Sequence, residues 1–444
     1  MTRMDKVTAS KNVLLQFISP NGLACMSFIM MLSVYLVPKS IFEMTVMEKY
    51  YISSTPFMPV FYALCTVSFL AGVNIFSDRK FVGVGWNPDA EYDFRVVILF
   101  LGVVILVNMY SVYKLISMNQ IMDLASTNYA GLLKNTLKTQ GSLSGVNPLL
   151  TPACCWAAYR YLQNRKQCSS NYLRWALILE ILVGVVVNVM LAVAKLARYE
   201  LMPLLISFFV VGAFHYAKRH NPSFLAVVFS VVMFGILVLL AFLGFGFLRG
   251  NTEGYMLLIN LMGYGPASFN HLCAELNGTL SSQYAGQGGY TLTFLNSIPV
   301  VDKFINIPKI LGIPPLMELW KSDFTSAAQA NLNSSYTFMT AFGFYHLDLG
   351  PFVYPYVFCT GLLIGTGWRS FLRGGVYGVF MYPFFATTIA LWFSFNVLVQ
   401  PAIDMIAIGA AVVAVLEIVS KRSRVITAGG EGYPQEAGTC APTA

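Results

Sequence analysis

The sequence predicts an all-α fold, a polytopic transmembrane helix bundle. Three observations carry this. Of 444 residues, 57% are hydrophobic and only 11% charged, against roughly 25% charged in soluble domains. The apolar residues gather into runs close to the ~20 residues that a helix needs to cross a bilayer. The basic residues cluster between those runs in an alternating pattern, as the positive-inside rule requires.

Taken in order, the candidate spans are Gly22–Val37, Pro56–Phe76, Phe94–Ile116, Leu143–Leu162 (weakened by Pro148 and Pro152), Leu173–Ala194, Met202–Ala217, Phe224–Leu248, Phe352–Trp368, Val376–Phe395 and Pro401–Val419. That makes about ten helices. The basic N-terminus precedes the first apolar run without a small-residue cleavage site after it, so a retained helix is expected. Arg3, Lys6 and Lys11, then Arg79, Lys80 and Arg95, then Arg165, Lys166 and Arg174 all fall on one side if the count is ten. Lys218 with Arg219, Arg369 with Arg373, and Lys421, Arg422 and Arg424 fall there too. That side is expected to be cytoplasmic, with both termini inside. Lys39, Lys49, Lys134 and Lys138 are exceptions that fall outside.

Residues 1–424 thus read as one membrane bundle, which includes a large extracytoplasmic loop, 249–350; residues 425–444 read as a polar, disordered cytoplasmic tail. The loop keeps many large apolar side chains, which disordered linkers lack, and is rich in the Tyr, Asn and Ser that stack on sugars and bond to hydroxyls. Within it, SIPVVDKFINIPKILGIPPLMELW is broken by four prolines and cannot be a regular span; an interfacial placement is expected. Asn119–Gly141 shows helical apolar spacing and reads as a surface amphipathic helix.

The net charge of +8 is accounted for by the inner clusters, and no nucleic-acid partner is expected. Cys273 is the only cysteine of the loop, so no disulfide closes it internally, and no Cys/His spacing suggests zinc. There is no P-loop, no paired-aspartate motif for a metal-bound nucleotide sugar and no G-x-S-x-G elbow. No metal or cofactor is expected.

Three constellations remain. Lys195 and Arg198 end the fifth span and Arg249 the seventh, on the side where cations are disfavoured. They either snorkel to headgroups or form an anion site, since Arg grips phosphate through two donors. His346 and Asp348, in FYHLDLG, are either a base with its neighbour or an interfacial histidine and a helix cap; His271 is the other outward histidine. Glu180 and Asp404 lie within spans and suit a proton-coupled transporter.

The stretches VAKLARYELMPLLISFFVVGAFHYAKR, FLRGNTEGYMLLINLMGYGPASFNHL and ANLNSSYTFMTAFGFYHLDLGPFVYPYVFCTGLLIG resemble, in order and spacing, parts of the bacterial oligosaccharide repeat-unit polymerases, the Wzy-type O-antigen polymerases. The likeness covers roughly Val193 to Trp368. Leu349 stands where the family often has an aromatic residue. The chain resembles the O-antigen ligases more distantly. The resemblance implies a GT-C-like glycosyltransferase of the bacterial inner membrane, working at the periplasmic face. It would pass a glycan from one undecaprenyl diphosphate to another lipid-linked repeat unit, with a chain-length regulator protein as partner. Diphosphate would rest on Lys195, Arg198 and Arg249; His346 or Asp348 would take the proton; Tyr255, Tyr264, His271, Asn333 and Tyr336 would hold sugars. The competing readings are a ligase, a secondary transporter or lipid flippase, and a non-enzymatic assembly subunit.

Overall fold

The computed structural model describes residues 12–75, 94–117, 144–165, 170–195, 200–248, 259, 261–297, 305, 307–334, 336, 338–394, 397–400 and 402–428. It is all-helical, with no strand among them. The helices are α1 Val13–Phe17, α2 Pro20–Val34, α3 Lys39–Val46, α4 Met58–Asn74, α5 Phe94–Ser117, α6 Leu150–Asn164, α7 Asn171–Ala194, α8 Leu201–Arg219 and α9 Phe224–Leu248. They continue with α10 Pro266–Leu276, α11 Ile307–Leu311, α12 Leu316–Gln329, α13 Ala341–Leu349, α14 Val353–Leu372, α15 Val376–Ala390 and α16 Ala402–Ala428.

A helix lies at each expected span, but length and apolarity sort them. Five are long and apolar enough to cross a membrane: Phe94–Leu115, Asn171–Ala194, Leu201–Arg219, Phe224–Phe245 and the continuous stretch Ala341–Leu372. A sixth is reached if α2 and α3, bent by 98° at Pro38, count as one. The expected ten is therefore not met by this measure. Two of the shortfalls, α4 and α15, are apolar but short. The proline-broken stretch of the loop forms two short helices, α11 and α12, on either side of Pro314 and Pro315. The amphipathic helix expected over 119–141 lies outside the described residues.

Local chemistry sets the helix ends. Ser19 caps α2, accepting from Gly22 N, with Pro20 in the first turn, where a missing N–H costs nothing. Thr340 caps α13 in the same way through Gly343 N. Gly350 ends α13 with φ +50, a conformation that glycine adopts without strain.

The tightest packing is between α4 and α14. A Cβ on Gly72 would run into the carbonyl oxygen of Phe358, and one on Gly361 into that of Phe69. Small residues let backbones approach this closely inside a membrane, where apolar burial cannot drive association.

The chain turns define two ends. At one, Arg219 Nη2 donates to Leu162 O at 3.0 Å, Asn12 Nδ2 to Ala217 O at 3.0 Å, and Arg160 Nη1 to Gly374 O at 2.9 Å. Arg165, Lys218, Arg373 and the N-terminal side of α1 gather there. At the opposite end, Ala341 N donates to Trp392 O at 3.0 Å, so the large loop closes over the point where α15 gives way to irregular chain. Helix α9 is the outlying element: only 6% of its apolar window is buried.

Candidate functional site

The site is built on α13. Residues two apart on a helix face different ways, and His346 and Asp348 do. His346 Nδ1 lies 2.6 Å from Glu275 Oε1 on α10. Its ring meets Phe61 edge-on at 5.3 Å, and its side chain stays 28% exposed while that of Glu275 is 7% exposed. Burial raises the Glu275 carboxyl above its usual range, and the His346 hydrogen bond pulls it back part of the way. A histidine that donates Nδ1–H to a carboxylate keeps the lone pair on Nε2. This is the arrangement of an oriented base.

Asp348 does other work. Its Oδ2 accepts from Tyr290 N at 2.7 Å, Thr291 N at 2.8 Å and Thr291 Oγ1 at 2.9 Å. The expected cap on the following helix is not formed: α14 starts after Phe352 without a side-chain cap. Asp348 instead latches the turn at 290–291 onto α13. That turn also carries Tyr290, which stacks on Phe344 at 5.6 Å and donates its hydroxyl to Asp323 Oδ1 at 2.6 Å. Burial pushes the Asp323 carboxyl up to about 7, against the opposing effect of that hydrogen bond.

His271 is a framework residue. It is 1% exposed, and its Nε2 lies 3.0 Å from Glu48 Oε2. The same carboxylate accepts from Asn270 Nδ2 at 2.9 Å and from Asn333 N at 3.0 Å, and Asn333 Nδ2 donates to Val46 O at 2.7 Å. Three donors satisfy a buried charge that would otherwise be very costly. His271 and Asn333, expected to hold sugar, are thus brought together on Glu48 and committed to tying α3, α10 and the end of α12. Tyr264 and Tyr336 share a separate aromatic cluster, 6.4 Å apart, with Phe338 at 5.6 Å from Tyr264.

Lys195 pairs with Glu200 at 3.0 Å on the wall of a cavity of about 230 Å³, which Asn147, Asn188 and Gln400 also line. Arg198, Arg249 and Tyr255 lie outside the described residues.

Glu48 and Glu275 were not singled out by the sequence reading. The one available signal was the i, i+4 spacing of His271 and Glu275, which puts both on one face of α10. Arg160 and Glu417 were missed as well. They form a buried bidentate pair, Nε to Oε1 at 2.9 Å and Nη2 to Oε2 at 3.1 Å, and Trp156 Nε1 adds a third donor at 3.1 Å. Their signal was a charge inside each of two apolar runs. Of the two intramembrane acids that were noticed, Glu180 is half-buried in α7 with Oε1 over Gly102 of α5, and Asp404 is half-buried in the first turn of α16.

Comparison with protein-family models, with curated proteins and with solved structures finds no match.

Proposed function

We propose that the chain is a membrane glycosyltransferase that polymerises lipid-diphosphate-linked oligosaccharide repeat units, with His346 as its base. The observation that carries this is the His346–Glu275 dyad, a partly exposed imidazole oriented by a buried carboxylate at the boundary between the bundle and the large loop. In the proposed reaction an acceptor sugar hydroxyl attacks the anomeric carbon of the donor glycan. The bond from that carbon to the diphosphate oxygen breaks, and undecaprenyl diphosphate leaves with the electron pair. The hydroxyl proton passes to His346 Nε2. The donor's own diphosphate bond drives the step. Arg249 and Arg198 are kept as the proposed ligands of the leaving diphosphate, where a fixed charge stabilises what builds up in the transition state.

Ten passes, with both termini in the cytoplasm and the loop in the periplasm, belong to the same proposal. The gathering of Arg165, Lys218 and Arg373 at the end away from the loop supports this orientation. A transporter reading has less to stand on, because Glu180 and Asp404 sit in separate helices and no internal repeat is visible.

The deciding experiment is a deletion strain complemented with variants. Loss of a polymerase leaves glycan of a single repeat unit; loss of a ligase lets long lipid-linked chains build up. Restoration of long chains by the wild type and not by His346→Ala is the expected result. Full-length chains from His346→Ala would remove the dyad from the mechanism, and accumulated lipid-linked polymer in the deletion would replace the polymerase with the ligase.

A further inference from the structure

Two helices of the bundle, α6 and α15, have 15 residues each. That is about 22 Å at 1.5 Å per residue, short of a hydrocarbon core of about 30 Å. Each is extended at the loop-bearing end by irregular chain. For α6 it is the 3₁₀ stretch Ser144–Leu149, which contains Pro148. For α15 it is the turns at 391–394 and 397–400. Irregular backbone at membrane depth is tolerated where it lines a cavity and not lipid. Both stretches line the same one, the cavity of about 230 Å³ beside Lys195. Its volume is several times the roughly 30 Å³ of one water, room for a small polar ligand.

The lining favours a neutral, hydroxylated ligand over an anion. Lys195 is matched by Glu200 at 3.0 Å, so the described wall carries no net charge, and a diphosphate placed there would meet the Glu200 carboxylate. The rest of the wall is mostly apolar, and its polar groups are uncharged: the carboxamides Asn147, Asn188 and Gln400 with the hydroxyls of Thr151 and Ser207, Asn188 Nδ2 donating to Thr151 Oγ1 at 2.9 Å. Asn147 Oδ1 is buried with no hydrogen-bond partner among the described residues, and such an atom is costly unless something donates to it. Phe384 adds an aromatic surface. Carboxamides with one aromatic face match a pyranose, which presents hydroxyls at its rim and C–H groups on its face.

We infer that this cavity is a sugar-binding subsite for one neutral ring of the glycan substrate. Asn147, Asn188 and Gln400 take its hydroxyls and Phe384 takes its apolar face. The source of the ring rests on the glycosyltransferase reading; the ligand chemistry does not. Lys195 then acts with Glu200 to shape the site and is not a ligand of the diphosphate. One short segment links the cavity to the start of the helix that carries His346: Leu391 lines it, and the next residue, Trp392, accepts from the first N–H of α13.

The test uses the full chain in phosphatidylethanolamine nanodiscs. Ser207, on the cavity wall, is changed to Cys. Cys25, Cys168, Cys359 and Cys440 are replaced by Ser, and the buried Cys65, Cys154, Cys155 and Cys273 are kept. The readout is the rate of reaction with a small hydrophilic thiol reagent. The probes are the methyl glycosides of glucose, galactose and N-acetylglucosamine, and inorganic pyrophosphate. At about 40 mM, at least one glycoside is expected to slow labelling about fivefold, as 1 + [L]/Kd gives for a Kd of about 10 mM. Pyrophosphate leaves the rate unchanged. Asn188→Leu with Gln400→Leu abolishes the protection while labelling persists. No protection by any of the three glycosides overturns the inference, as does protection by pyrophosphate alone. Protection that needs phosphatidylglycerol in the disc and no glycoside makes the cavity a lipid-headgroup site and also overturns it. Protection that survives in a chain with no transferase activity leaves the sugar site standing and defeats only the reaction.

Discussion

His346 and His271 are the two histidines of the large loop, and each faces a glutamate, yet their surroundings separate them. His271 is sealed in with Glu48, whereas His346 keeps an exposed edge beside Glu275. Only the second has a nitrogen for a substrate. His346→Ala is expected to lower turnover about 100-fold while the protein accumulates normally. Glu275→Gln keeps the shape but removes the carboxylate that fixes the tautomer, and is expected to cost about tenfold or more. Steady-state transfer measured on both variants checks this, and wild-type rates from Glu275→Gln would reduce the glutamate to packing. His271→Ala acts differently, since it leaves the buried Glu48 short of a donor; its expected effect is a lower Tm, with activity falling only as the fold does. Asp323 gives a pH signature. Burial holds its carboxyl at about 7 in the folded chain, above its unfolded value, so the folded state binds more protons through the range between them. Stability therefore falls as pH rises from about 4 to 7 and is flat above. Thermal melts are expected to show this slope for the wild type and a shallower one for Asp323→Asn.

At the scale of elements, the sequence was informative where one helix decides its own fate. Hydropathy located a helix at every expected span, and the prolines of 298–315 foretold a broken stretch. It was uninformative wherever a partner came from far along the chain. Nothing near Asp348 announces that it latches a turn 57 residues away, and nothing near Glu48 announces His271, 223 residues on. The reading of Asp348 as a cap failed for that reason: local spacing offers a helix start, while the carboxylate finds three donors elsewhere. Helix contacts yield two predictions. Gly361→Val forces a side chain into the backbone of α4 and is expected to destabilise by about 1–3 kcal/mol or more; Gly212→Ala on α8, where a Cβ meets nothing within 4 Å, serves as the neutral control in the same melts. Arg160→Met takes the bidentate guanidinium away from the buried Glu417 and is expected to cost about 3–5 kcal/mol. Adding Glu417→Leu should recover most of that loss, because a buried ion pair contributes little beyond an apolar pair of the same volume. No recovery in the double variant would mean that the Gly374 and Trp156 hydrogen bonds carry the contact.

For the whole molecule the governing question is which end faces the cytoplasm. Among the described residues, three chain turns at the end away from the loop carry cations: Arg165 after α6, Lys218 and Arg219 ending α8, Arg373 after α14. By the positive-inside rule the end that carries these clusters is expected to face the cytoplasm. Ser281 is exposed on the loop, and Ser423 lies near the far end of α16. Single-cysteine variants at these two positions, in the background that keeps only buried native thiols, report the orientation directly. In intact spheroplasts an impermeant maleimide is expected to label position 281 at once and position 423 only after lysis. The reverse pattern would put the His346–Glu275 dyad on the cytoplasmic side, where lipid-linked repeat units are assembled and not joined, and the polymerase reading would fall with it. Labelling of both positions before lysis would mean an even number of passes between them. The candidate for the failed pass is then α15, the apolar helix between them that is shorter than a span, and a cysteine in the turn that follows it would show whether it turns back.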